Sequence, residues 1–127
     1  MLEIQKITSY INQSDQRGEF LGLINRGNWQ EINFVKTRAG KVRGSHFHRK
    51  TNEVIFLVTG KVDIELCDCN EPDKKTKLLL NAGEGVKITP FIFHTFHYLE
   101  DSVHIQLLDI PFDVKNQDLH SLSSIEN

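Results

Sequence analysis

Cysteine is scarce in this chain: Cys67 and Cys69 are its only two, so no disulfide framework is available. They stand two apart on an expected strand, which places them poorly to bridge each other. Two thiolates with no second pair also do not make a structural zinc site. Free, reduced thiols and a cytoplasmic setting are the expectation. Proline is nearly as sparse, with three residues, and no apolar run approaches the length of a membrane span. The N-terminal residues lack the basic start and apolar stretch of a signal peptide. Charge of one sign is missing too: 15 Lys+Arg against 17 Asp+Glu leaves −2 with neutral histidine, which excludes a surface built to neutralise nucleic acid. No internal repeat, low-complexity tract or linker divides the 127 residues, so one domain, 1–127, is expected.

What is present is a texture of short alternating runs cut by Gly, Asn and Asp, the pattern of strands. Strands are predicted at Glu3–Thr8, Glu19–Ile24, Trp29–Lys36, Val42–His48, Glu53–Val58, Lys61–Cys67, Lys75–Leu80, Val86–Thr89, Phe93–Leu99 and Val103–Ile110. Thr59-Gly60 reads as a tight turn, and Asp68–Asp73 as a polar connection. One short helix is predicted at Val114–Leu122. So many short strands in one small unit imply an all-β closed barrel or double-sheet jelly roll with its core over about residues 19–110, because those architectures protect strand edges.

Histidines are the informative residues. His46 and His48 lie two apart on a strand and share a face, with Phe47 on the other. Glu53 opens the next strand in register with Ile55 and Leu57, which read as interior residues. A carboxylate among buried aliphatics needs a partner, since an unpaired buried charge is very costly. Two inward imidazoles and a metal would supply one. His94 shares a face with Phe96 and Tyr98 and makes a fourth inward candidate. Three imidazoles and one carboxylate suit a divalent Zn, Fe, Mn, Ni or Cu ion, and the set alone does not choose among them. For His97, His104 and His120 no partner is evident, and outward or tail positions are expected, with His97 and His104 alternatively facing a dimer partner. The apolar Phe91-Ile92-Phe93 run is expected at a pocket mouth or, preferentially, a subunit interface.

From Gly40 to Gly60 the chain reads G-x5-H-x-H-x4-E-x6-G, which resembles the first cupin motif at every specified position. Segment 83–98, with Pro90 and His94 in place, is similar to the second cupin motif in degraded form. The resemblance implies a double-stranded β-helix whose metal is held by His46, His48, Glu53 and His94. Two further runs are narrower. Asp15, Arg17, Gly18 and Phe20 resemble the D-x-R-G-x-F entry strand of nucleotide-sugar epimerases and ketoisomerases. Arg43, Gly44, His46 and His48 resemble the R-G-x-H-x-H segment of the dTDP-sugar ketoisomerases and of the cupin domain of capsule-synthesis UDP-sugar reductases. These resemblances imply a dTDP- or UDP-linked 4-keto-6-deoxy sugar as small-molecule substrate, isomerised or epimerised in surface polysaccharide synthesis. Small cupins commonly pair, so a homodimer is expected.

Moving a proton beside a carbonyl needs a base and a group that stabilises the enolate oxygen. Tyr98 is the candidate proton carrier on the interior face, and Arg17 and Arg43 are candidate diphosphate contacts. A histidine whose lone pair is on a metal cannot also be the base. His48 therefore takes that role only in a metal-free site; otherwise it passes to Tyr98 or a hydroxide on the metal. Glu53 departs from the ketoisomerase pattern and favours the metal. Two other functions are compatible with the cluster: an iron-dependent small-molecule dioxygenase, and a non-catalytic sugar-binding module.

Overall fold

The computed structural model describes residues 2–125. The chain forms β1 (Gln5–Thr8), β2 (Ile11–Asp15), β3 (Gly18–Gly22), β4 (Glu31–Thr37), β5 (Val42–His46), β6 (Glu53–Thr59), β7 (Lys61–Asp68), β8 (Thr76–Asn81), β9 (Glu84–Ile88), β10 (Ile92–Tyr98) and β11 (Ser102–Leu108). A single 3-10 turn follows at Leu122–Ser124. No helix is long and apolar enough to cross a membrane among the described residues.

Two antiparallel sheets build the barrel. One runs β1-β9-β6-β11-β4 and the other β5-β10-β7-β8, while β2 and β3 form a separate hairpin. Side-chain patterning explains the placement. β7 alternates Lys61, Asp63 and Glu65 outward with buried Val62, Ile64 and Leu66 inward. In β6, Glu53 through Leu57 are buried on both faces. Both sheets contribute to one core: Ile55 and Leu57 of β6 and Val86 and Ile88 of β9 meet Ile64 and Leu66 of β7 and Phe96 of β10. Each such aliphatic or aromatic burial is worth about 1.5–3 kcal/mol. The expected double-stranded β-helix is present.

The differences from the sequence-based expectations are local. β2 was not among the predicted strands, because Ile11 is its one apolar residue and the rest is exposed; its pairing with β3 supplies the order that hydrophobic periodicity could not signal. The predicted helix at Val114–Leu122 does not form. That segment turns at Asp113–Asn116 and then runs extended, exchanging two 3.0 Å backbone hydrogen bonds between His120 and Phe47. His104 is not outward but buried at 3% exposure, and His120 is half-buried against Phe47. His97 is exposed, as expected. Cys67 and Cys69 are free and buried.

Candidate metal centre and its cavity

The local backbone sets the site. Gly44 (φ 87°) and Ser45 (φ 61°) both occupy the left-handed region, where the β5–β10 pairing shifts register at His94/Thr95. A Cβ on Gly44 would lie 2.8 Å from the His94 carbonyl oxygen, so only glycine allows this approach. The bulge brings β5 against β10 and turns His46 toward His94, their ring centroids 4.6 Å apart. His48 follows β5, 5.1 Å from His46 and 5.2 Å from His94 by ring centroids. Glu53 arrives from the opposite sheet at the start of β6. One donor atom from each of His46, His48, Glu53 and His94 lies within 4.8 Å of the others. The four residues read from the sequence as a cluster are therefore together in space.

Their surroundings fix which atoms face inward. His48 Nδ1 lies 2.8 Å from the Asp118 carbonyl oxygen, and His94 Nδ1 lies 3.0 Å from that of Ile92. A carbonyl only accepts, so both Nδ1 atoms carry the proton. Each Nε2 is thereby directed to the centre: that of His48 sits 2.8 Å and that of His94 3.7 Å from Glu53 Oε1. The other carboxylate oxygen, Oε2, accepts a 2.7 Å hydrogen bond from Gln106 Nε2 on β11. Imidazoles anchored through one nitrogen to backbone carbonyls, and a carboxylate anchored through one oxygen, are the usual outer support of a metal site.

Electrostatics follow from this packing. Burial, helped by the neighbouring imidazoles, pushes His46 down to about 4. Burial also lowers His94 and outweighs the attraction of Glu53. For His48 burial acts in the same direction, but the hydrogen bond and charge of Glu53 prevail and raise it. Burial opposes ionisation of Glu53, yet the His48 hydrogen bond and the neighbouring imidazoles hold it well below the ordinary carboxylate range. Without metal, a proton on His48 Nε2 neutralises Glu53. His94 Nε2 is then buried with no hydrogen-bond partner, an expensive condition that a metal ion would relieve. The donor set, the tautomers and this unpartnered nitrogen fit a divalent transition metal.

His46 and His48 also line a cavity of about 750 Å³. Gln106, Asn33 and Glu31 form part of its wall, and residues 110–113 and 116–120 supply another. Glu31 is held as a carboxylate below its ordinary range by hydrogen bonds from Asn33 and the Phe112 amide. Asp118 accepts hydrogen bonds at 2.8–2.9 Å from the amides of Arg49, Lys50 and Thr51 and from the Thr51 hydroxyl. Burial opposes its ionisation, but these bonds push its pKa far down.

The remaining sequence candidates lie elsewhere. Tyr98, 1% exposed, is not part of the cavity wall; its hydroxyl meets His104 Nε2 at 2.9 Å. Arg43 donates to Thr37 Oγ1 at 2.7 Å and to the Lys36 carbonyl oxygen at 3.1 Å, tying β5 to β4. Arg17 sits exposed at the tip of the β2–β3 hairpin, paired with Asp15 at 2.6 Å. Neither arginine lines the cavity. Gln106 and Asp118 were missed. Gln106 carried no signal, since it shares a face with His104 and alternates with Val103, Ile105 and Leu107, which makes it read as outward. Asp118 carried none, because the amides its carboxylate accepts from are 67 to 69 residues away.

Known proteins share this architecture. The WlaRB TDP-quinovose 3,4-ketoisomerase from Campylobacter jejuni superposes with a TM-score of 0.79 at 18% identity, covering 94% of this chain and 93% of that one. The dTDP-4-dehydrorhamnose 3,5-epimerase from Sulfolobus tokodaii gives 0.74 at 26% identity, over 91% and 76% of the two chains. The capsular polysaccharide assembling protein CapF from Staphylococcus aureus gives 0.69 at 24% identity over 87% of this chain, which spans 33% of CapF. No curated protein matches the chain in sequence. Residues 13–118 match the model of the polysaccharide biosynthesis C-terminal domain family. The chain has the cupin fold and belongs to that family.

Proposed function

We propose that this cupin holds one divalent transition metal at His46, His48, Glu53 and His94 and acts on a nucleotide-linked 4-keto-6-deoxy sugar by proton transfer beside the carbonyl, within polysaccharide synthesis. The observation that carries the metal is the convergence of four donors within 4.8 Å of one another, two of which, His46 and His48, also line the cavity. The substrate class is supported by the family and by structural neighbours that are TDP-sugar ketoisomerases and epimerases. A cavity of about 750 Å³ is within the range of small-molecule sites.

When bound, the metal supplies Lewis-acid stabilisation of the oxygen that gains charge as the proton leaves. The chain's residues do the rest. Asp118 and Ile92 hold the imidazoles in the coordinating tautomer, and Gln106 holds the carboxylate. Residues 110–113 and 116–120 form one wall of the cavity. In a metal-free site His48 would be the base. Both of its ring nitrogens are already engaged, one by Asp118 and one by Glu53, which leaves none to face a substrate. That geometry favours the metal.

The test is incubation with TDP- or UDP-4-keto-6-deoxyhexose in heavy water, followed by NMR. Solvent deuterium is expected at a ring carbon next to the carbonyl, and its uptake should stop after His48→Ala. No exchange with either nucleotide series contradicts the proposal.

A further inference from the structure

The segment Gln117–Ser121 crosses the outside of the cluster as an extended strap. Its backbone is fixed at His120, which exchanges two hydrogen bonds of 3.0 Å with Phe47, the residue between His46 and His48. Asp118 fixes it a second time. One carboxylate oxygen, Oδ2, accepts from the amides of Lys50 and Thr51 and from Thr51 Oγ1, each at 2.9 Å. The other, Oδ1, accepts from the Arg49 amide at 2.8 Å and faces His120 Nε2 at 2.9 Å. The carboxylate thus caps the connection that runs from His48 to Glu53. The carbonyl oxygen of the same residue accepts the proton of His48 Nδ1 at 2.8 Å. One residue therefore orients His48, clamps the loop that spaces His48 from Glu53, and docks the strap that walls the cavity.

We infer that Asp118 is a positioning residue that couples docking of the 117–121 strap to the four-donor cluster, so that the strap raises metal affinity and the metal tightens the strap. The inference rests on the metal-centre reading above. Outer contacts that orient ligands are typically worth 10- to 100-fold in metal affinity. Linkage makes the effect reciprocal: whatever factor docking adds to metal affinity, bound metal adds to docking. An ornamental tail, or a strap that only stabilises the barrel, would have no such reciprocity.

The experiment uses the full chain and Co²⁺ or Zn²⁺ as the probe. Metal affinity is measured by chelator competition for the wild type and Asp118→Asn. The Co²⁺ visible spectrum and amide hydrogen exchange at Phe47 and His120 are recorded with and without metal. The substitution keeps the side-chain shape and the backbone carbonyl but places an amide among donors. A roughly 10- to 100-fold weaker affinity, an altered Co²⁺ band and metal-dependent slowing of exchange in the wild type that is lost in the variant are expected. A variant with a lower melting temperature but unchanged affinity and spectrum overturns the coupling and leaves the metal centre standing. A wild type that takes up no metal overturns both. Should Asp118→Asn fail to fold, Thr51→Val removes one of the carboxylate's bonds inside a buried site. It should weaken metal binding severalfold and loosen the strap; unchanged affinity and exchange in that variant overturn the coupling equally.

Discussion

Tyr98 illustrates how far a residue's chemistry depends on what surrounds it. On the sequence it is an inward hydroxyl beside a candidate ligand, and a proton carrier is a natural expectation. In the fold it is 1% exposed, its hydroxyl lies 2.9 Å from His104 Nε2, and His104 Nδ1 is itself buried without a partner. Burial pushes the Tyr98 phenol up and holds His104 down to about 4, so the pair stays neutral. Tyr98→Phe would remove that bond and leave His104 with no side-chain hydrogen bond at all. A loss of about 1–3 kcal/mol in urea unfolding is expected, with deuterium exchange into substrate retained. A hundredfold loss of exchange at unchanged stability would return Tyr98 to catalysis.

The elements show what hydrophobic pattern carries and what it does not. β7 was legible because apolar residues recur with period two, and β6 because it is a short unbroken apolar run bounded by turn signals. That same periodicity placed His46, Glu53 and His94 inward, so the cluster was legible as well. β2 was not, since it buries almost nothing and exists through its hairpin. The C-terminal segment Val114–Leu122, expected as one short helix, does not form one. Its actual course is set by Asp118 and His120 bonding to residues around position 50, a tertiary effect that no local window contains. The placement of the arginines is likewise tertiary. Arg43 has the right neighbours in sequence, but the bulge at Gly44 and Ser45 reorganises the strand beside it, and its guanidinium ends on Thr37 and Lys36.

At the scale of the whole molecule, β4 closes one edge of the five-stranded sheet, and its outer face carries Ile32 and Phe34 at 71% and 67% exposure. An edge strand with two large exposed apolar side chains is a pairing liability in a monomer. Pairing of two copies along β4 would cover them. Light scattering is expected to give twice the chain mass for the wild type and the chain mass for Phe34→Asp; a monomeric wild type would contradict the dimer. The metal proposal also ties the two sheets together, since Glu53 comes from one and His46 and His94 from the other. Bound metal should therefore raise the stability of the whole barrel and not of one loop.

The most direct measurement is elemental analysis of tag-free protein purified without chelator, set beside His48→Ala. Close to one divalent transition metal per chain in the wild type, and little in the variant, is the expected result. A wild type that is metal-free and refuses reconstitution, or a variant that retains its full complement, would contradict a metal centre at His46, His48, Glu53 and His94.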